Sequence, residues 1–331
     1  MSRNSRWAVV LVPTLCLYFA PLPGLNAQQR HLLAVFAGTI ISLVARPVAM
    51  GVSVLVAMTT LALTGTLPAA RTLTGFSNIT LWLIFTAFLF ARAVTQTRLG
   101  LRVAYLFIER FGHSALTLGY SVVATDLLLA VFIPSDTARG GGIVFPIVKS
   151  LAEVFDSKPG STARKIGSYL IVVGFHATYV GSAMFLTGMA ANPLIADFAM
   201  KIAHVDLTWV RWALAASVPG LISLLVIPYL LYKLYSPEIH NTEAARSLAA
   251  GELAKMGPMS RNERWLVAIL LFVMTGWVTS KWHGISNTFV ALTGLCMILL
   301  TKVISWEDLL TETRAWDAIV TRISRSLRPS G

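Results

Sequence analysis

The sequence predicts an all-α polytopic membrane protein, and three observations carry that prediction. Of its 331 residues, 56% are apolar and only 13% charged, where soluble domains average about 45–50% and about 25%. The apolar residues gather into runs approaching the roughly 20 residues that a helix needs to cross a hydrocarbon core. The charges collect between the runs, and the net charge of +12 is carried by loops rather than by any one patch. Mean hydropathy is +0.70. This composition excludes a disordered chain and a nucleic-acid-binding module, and it argues against a soluble enzyme, whose surface water would have to solvate.

Each run is closed by charged or turn-forming residues. The first covers 7–21 and the second 31–45, stopped by Arg46-Pro47. The third covers 48–67 and the fourth 79–94. Two arms, 114–133 and 140–154, flank a polar knot. The remaining runs are 166–200, long and interrupted at its centre, then 209–231, 265–282 and 287–302. Arg3 and Arg6 before a short apolar stretch also suit a secretory signal peptide, but no small-residue cleavage site precedes the next run. Cys16 and Cys296 both sit in apolar runs and read as small core residues, not as a disulfide or metal pair.

Basic residues give the orientation. With a cytoplasmic N-terminus, and with 114–154 returning to the side it left, most of the 27 Lys and Arg fall on the cytoplasmic side. Among them are Arg92, Arg98, Arg102 and Arg110, Lys158, Arg164 and Lys165, and Arg261 and Arg264. That bias is the signature of cytoplasmic loops. A hairpin that crosses twice and one that re-enters have the same parity, so charge does not separate them.

Polar groups at membrane depth cost free energy unless protein or a water-filled cavity satisfies them. The knot Pro134-Ser135-Asp136-Thr137-Ala138-Arg139-Gly140-Gly141-Gly142 is such a place. An Asp or Arg at a helix centre costs about 2.5–3.5 kcal/mol on insertion scales, so both within four residues imply a pair, a water cavity or a ligand. Pro134 ends one helix and Ser135, Asp136 and Thr137 can cap the next. Such a tip offers hydroxyls, a carboxylate and a positive helix end to an anion or a hard cation. An ordinary loop between two crossing helices has the same spacing.

The second interruption is Thr187-Gly188 with Asn192-Pro193, inside a run otherwise long enough to continue as helix. An unwound centre there exposes carbonyls, Thr187 and the Asn192 amide, as in discontinuous transporter helices; a Gly/Pro kink without ligand is the plainer reading. Two polar interruptions together point to an ion or solute site. Asp126, in the first arm, suits a proton relay or a partner for Arg139, and most simply a satisfied buried carboxylate. His176 reads as a packed core histidine. The chain has no HExxH, P-loop or GxSxG, so neither metalloprotease chemistry nor ATP-driven pumping is supported, and no catalytic residue or cofactor is expected. Arg98, Arg102 and Glu109 with Leu99, Val103, Leu106 and Phe107 predict an amphipathic interfacial helix, and 236–264 reads as one long solvated loop.

The segments Gly75-Phe76-Ser77-Asn78, Thr97-Arg98-Leu99-Gly100-Leu101-Arg102-Val103-Ala104-Tyr105, Pro134 to Gly142, Ala183 to Leu194, Met256-Gly257-Pro258 and Trp306-Glu307-Asp308 resemble the divalent anion:sodium symporter family. The similarity is to its 2-oxoglutarate/malate, citrate/succinate and tartrate translocator branch, and it spans nearly the whole chain. It implies an inverted-repeat transporter with a re-entrant helical hairpin and a broken helix, moving di- or tricarboxylates by sodium symport or dicarboxylate exchange. The implied motion is elevator-like, often within a homodimer, in a bacterial inner membrane, with no cofactor and with Na+ as a candidate coupling ion. Substrate and sodium ligands would be Ser135, Asp136 and Thr137 on the tip and Thr187, Gly188, Ala191, Asn192 and Pro193 on the facing segment. Sodium would sit at Ser135, Asp136 and Gly188, with Arg139 as a charge partner for Asp136.

Two departures stand out. The family's central tip Asn is Asp136 here, and a carboxylate repels an anionic solute. After Ala315-Trp316-Asp317-Ala318, the residues 321–331 are polar and basic where the family continues into a further apolar helix and a second hairpin. The expected organisation is therefore a membrane half at 1–233 and a cytoplasmic linker at 234–264. The start of a second half follows at 265–320, and a basic tail at 321–331 lies outside the fold. On that expectation the second repeat is incomplete, and a truncated relative without independent transport is the alternative.

Overall fold

A computed structural model describes residues 2–133 and 135–322. Pro134, expected to end the first hairpin arm, and residues 323–331 of the expected basic tail lie outside the described residues. Helices are the only regular elements described, apart from one isolated bridge between Ser114 and Asn241. The first six are α1 (Arg3–Phe19), α2 (Ala27–Ala45), α3 (Met50–Leu63), α4 (Ala69–Thr72), α5 (Ile79–Gln96) and α6 (Leu99–Phe111). Next come α7 (Ala115–Ala130), α8 (Phe145–Val154), α9 (Gly167–Met184), α10 (Asn192–Ala203) and α11 (Trp209–Leu234). The rest are α12 (Glu243–Met256), α13 (Arg261–Val278), α14 (Ser280–His283), α15 (Asn287–Leu300), α16 (Trp306–Thr311) and α17 (Thr313–Arg322). The expected spans therefore appear as helices, with 166–200 divided into α9 and α10 as its composition predicts. The run 48–67 yields a shorter helix because Thr64-Gly65, with Gly65 at φ 65°, turns the chain early.

Two compact units emerge. Of the described residues, one holds 2–85 together with 313–322; the other lies within Thr86–Glu312. In the first, Asn26 caps α2 through a reciprocal pair with Gln29 (2.8 and 3.0 Å), satisfying amides that a helix start leaves free. Helices α1 and α2 lie close enough that a Cβ at Gly38 would overlap the Thr14 side chain. Val35, Ala57, Leu61 and Leu67 form the apolar centre, and the buried hydroxyls of Ser42 and Ser53 satisfy each other at 2.8 Å. Trp316 of α17 packs edge-on against Phe85, centroids 5.0 Å apart.

In the second unit, α7 and α8 form a helical hairpin joined through a π-helix, Thr137–Val144. Helix α9 packs on both arms. Gly119 admits the Tyr169 ring, and Gly174 faces Val144 and Val148. Helix α11 is 26 residues long and apolar enough to cross a bilayer. Leu214, Val218, Leu221, Ile222, Leu225 and Val226 on it are exposed, a surface suited to lipid and not to water.

Two expectations for the 98–264 region change. Residues 236–264 are not one loop: α12 occupies 14 of them and packs on α6, because its alanines Ala245 and Ala249 are small, buried and strong helix formers. Helix α6 exists as expected, yet Arg102 is on its buried side. Its guanidinium holds Glu263 by two bonds (2.6 and 3.2 Å) and donates to the Gly257 carbonyl at 2.8 Å. Gly257 can present that carbonyl because it adopts φ 63°, a region glycine enters without strain. Glu263 also closes a capping box with Ser260 at the start of α13. Burial works to raise the Glu263 pKa, but the bonds from Arg102 and Ser260 outweigh it and hold the carboxyl below its usual range. Two of the family-like segments, Thr97 to Tyr105 and Met256-Gly257-Pro258, are thus the two sides of one clasp.

Candidate functional site

The hairpin tip and the broken helix meet. Helix α7 ends at Ala130, and the chain re-enters a helix at Asp136-Thr137. Asp136 Oδ1 accepts from the Thr137 amide at 2.8 Å, and Ser135 Oγ accepts from the Ala138 amide at 3.1 Å. Both are the capping roles that short polar side chains fill at a helix start. Opposite, α9 stops at Met184 and α10 begins at Asn192.

Asn192 closes the break. It is 3% exposed, and its Nδ2 donates to the Ser182 and Phe185 carbonyls, both at 2.8 Å; the Ser182 carbonyl at the end of α9 would otherwise be short of a donor, while that of Phe185 also accepts from the Gly188 amide at 2.8 Å. Pro193 follows at the first turn of α10, where its missing N–H costs nothing. Gly188 must be glycine: a Cβ there would lie 2.6 Å from the Ser182 carbonyl oxygen and 3.0 Å from that of Gly181. Thr187 Oγ1 donates to the Val131 carbonyl at 2.7 Å and accepts from Trp209 Nε1 at 3.2 Å, tying the break to the end of α7 and to α11. Ala191 caps α10 without a side-chain bond and is half-buried.

Arg139 joins the two interruptions. Its side chain and that of Asp126 are 0% exposed, and Nε donates to Asp126 Oδ1 at 2.8 Å. Nη1 donates to the carbonyls of Ile133 (2.9 Å) and Gly188 (3.1 Å). Nη2 donates to the Thr178 carbonyl (3.0 Å) and to Ser182 Oγ (2.7 Å). All five guanidinium N–H donors are therefore engaged. Asp126 Oδ1 also accepts from Thr178 Oγ1 at 3.0 Å, whereas Oδ2 is buried with no hydrogen-bond partner. The expected pairing of Arg139 with Asp136 is thus corrected in favour of the other expected partner, Asp126: Arg139 turns inward, because the π-helix directs it into the hairpin while Asp136 faces a cleft.

That cleft is about 350 Å³ and is lined by Asp136, Thr137, Gly140, Gly141, Thr178 and Tyr179, with Val144, Phe145, Val148, Ile171, Gly174 and Phe175. Its volume is in the range of small-molecule sites. Of the residues expected to bind solute or sodium, Asp136 and Thr137 line the cleft, and Ser135 lies beside it under the first helical turn. Thr187, Gly188 and Asn192 are instead bound into the knot behind the tip. Thr178, Ser182 and Tyr179 complete the arrangement and escaped the sequence reading; the signal was the small and polar series Gly174, Thr178, Gly181 and Ser182 along one face of α9. No group of three or more His, Cys, Asp or Glu able to hold a metal occurs among the described residues.

Comparison with known proteins adds an independent line. Residues 2–323 match the family described as sodium:sulfate symporter transmembrane region. YflS of Bacillus subtilis (strain 168), named as a candidate malate transporter, is 46% identical over 94% of this chain and 67% of its own length. Dicarboxylate transporter 1 of Arabidopsis thaliana chloroplasts is 42% identical over 92% of this chain and 55% of its own. The citrate/succinate antiporter of Escherichia coli (strain K12) is 34% identical over 97% and 70%. The chain spans between half and about two thirds of the length of such relatives.

Proposed function

We propose, starting from the fact that the chain belongs to the sodium:sulfate symporter family of membrane transporters, that it carries di- or tricarboxylates of the malate, 2-oxoglutarate, succinate or citrate class across a bacterial inner membrane. The observation that carries the reading is the polar hairpin tip opening on a cleft, with Asp136, Thr137 and Thr178 on its wall, while the broken helix is bound behind that tip through the Gly188 carbonyl and Arg139. Irregular backbone at membrane depth is tolerated only where protein buries it or where it lines a cavity, and here it does both. Relatives named for malate, dicarboxylate and citrate/succinate transport support the solute class. Ser135 and Thr137 would offer hydroxyls to a carboxylate, and the apolar wall from Val144 to Val148 would cover its carbon chain. Thr187, Gly188, Ala191, Asn192 and Pro193 shape the same site from behind. The cytoplasmic bias of Lys and Arg supports an N-terminus inside the cell, and the resemblance supports an elevator-like motion in a homodimer.

The test is reconstitution of the full chain into proteoliposomes preloaded with malate, followed by uptake of labelled malate, succinate, 2-oxoglutarate or citrate. Saturable uptake of at least one is expected. Uptake no faster than in protein-free vesicles for all four, with protein shown to be folded, would overturn the carrier reading and favour a family member without independent transport.

A further inference from the structure

We propose that Arg261, Arg264 and Trp265, at the start of α13, form a binding site for the headgroup of an anionic phospholipid, whose acyl chains lie along the exposed face of the same helix. The inference needs the chain's place in a membrane, which its family gives, and is independent of which solute is carried.

The three side chains share one face, because positions three and four apart on a helix are neighbours, and they line one surface hollow of about 310 Å³. All three are exposed. Among the described residues neither arginine has an acidic partner, and the Trp265 indole N–H has no protein acceptor. On the adjoining α6 and α12, by contrast, Arg102 holds Glu263, Arg246 holds Glu243 and Lys255 holds Glu252. The indoles of Trp209, Trp212 and Trp277 each donate to protein. Ser260 already caps the start of α13, so the site consists of side chains and not of a bare helix end.

Charge and shape together select the ligand. A phosphate accepts paired N–H bonds from a guanidinium fork, and two arginines one turn apart offer such forks with no carboxylate competing. An indole with a free N–H settles where apolar chain meets polar ester. Beyond Trp265 the same face continues through Ala268 to Leu271 and Phe272, all exposed. Phe272 lies about 12 Å along the axis from Arg264, and the small Ala268 leaves room for a chain between the Trp265 and Phe272 rings. Headgroup, ester and chain thus meet cation, indole and apolar side chains in that order. Free phosphate gains nothing from the apolar face, and an acidic peptide cannot follow it into hydrocarbon. Arg261 and Arg264 also fall on the side that the basic bias assigns to the cytoplasm, where the leaflet carries anionic lipid.

The experiment places the full chain in phosphatidylcholine vesicles that carry a minor fraction of brominated phosphatidylglycerol or, as reference, brominated phosphatidylcholine. Bromine quenches tryptophan emission only at short range, so quenching reports lipid beside an indole. The wild type is expected to be quenched more by the anionic lipid than by the reference, and Trp265→Phe should remove most of that excess. Each basic group near an anionic lipid surface strengthens binding about fivefold, and two strengthen it about thirtyfold. The double variant Arg261→Gln with Arg264→Gln should therefore weaken the apparent affinity behind the excess by about tenfold or more. The control pair Lys158→Gln with Arg164→Gln, two exposed basic residues elsewhere on the expected cytoplasmic side, should change it by less than about twofold. No excess in the wild type overturns the proposal, as does an excess that survives Trp265→Phe. Equal losses in the two double variants mark general surface charge and overturn it too. Inorganic phosphate, added at constant ionic strength, is expected to leave the excess in place; its abolition marks a site for a soluble anion and counts against the lipid. Should the double variant fail to fold, the single variants Arg261→Gln and Arg264→Gln carry the test, each with an expected loss of about fivefold.

Discussion

Replacing Asn192 separates two roles that one residue could have at this site. In the structure, Nδ2 bonds the Ser182 and Phe185 carbonyls at 2.8 Å each, with Asn192 3% exposed. Asn192→Ala removes both donors where water cannot replace them, and an unsatisfied buried polar group costs about 1–3 kcal/mol. The Phe185 carbonyl keeps the Gly188 amide at 2.8 Å, so the Ser182 carbonyl alone is left unsatisfied and the expected loss is about 1–3 kcal/mol. The loss should fall on the break itself, because Ser182 also bonds Arg139. The assay is equilibrium unfolding of the full chain in mild detergent. Trp209 makes tryptophan emission a local reporter, since its ring stacks on Phe185 at 5.8 Å and its Nε1 bonds Thr187. An Asn192 that touched only solute would leave stability unchanged within about 0.5 kcal/mol and raise the solute KM instead; that outcome would refute the reasoning.

Three further expectations follow from other contacts. Gly188→Ala forces a methyl to within 2.6 Å of the Ser182 carbonyl oxygen and 3.1 Å of that of Phe185; a loss of about 1–3 kcal/mol and a lower unfolding midpoint are expected, and an unchanged midpoint would show that the break relaxes freely. Asp136→Asn removes a charge that, at about 4 Å from a solute carboxylate, opposes binding by about 4 kcal/mol at an effective dielectric of about 20. Labelled-malate uptake should rise several-fold, and unchanged or lower uptake would sink the idea. Glu263 is held below its usual range, so its pairing with Arg102 stabilises the fold above the unfolded carboxyl pKa of about 4.3 and is lost as pH falls through the lower folded value. Glu263→Gln should therefore cost about 1–3 kcal/mol near neutral pH, with the gap to wild type closing in acid; an equal gap at both ends of a pH series of unfolding midpoints would contradict it.

Much of this architecture was legible because membrane helices announce themselves through apolar length and polar stops. The divided run at 166–200 was legible as well, since Gly188 and Asn192-Pro193 interrupt a pattern that nothing else disturbs. What stayed hidden depends on direction, which spacing alone does not supply. Arg139 lies three residues from Asp136 and thirteen from Asp126, and spacing alone leaves both open as its partner. The π-helix decides the matter by widening the turn, and no composition rule predicts it. Thr178 and Ser182 were hidden because a hydroxyl in an apolar helix usually bonds its own preceding turn; Ser182 Oγ does so, to the Thr178 carbonyl at 2.6 Å, and meets Arg139 as well. In 236–264 the helix α12 was masked by charges that suit a solvated loop equally well.

The pairing of Arg139 with Asp126 has a consequence for voltage. The two charges are 2.8 Å apart on the same hairpin and sum to zero. Moving one elementary charge through 100 mV takes about 2.3 kcal/mol, but a unit that carries both signs together feels no such force. If hairpin and break travel as one body, the membrane potential acts on the solute and on Asp136 but exerts no net pull on this pair. The potential thus senses what is being carried and not the lock that holds the carrier together.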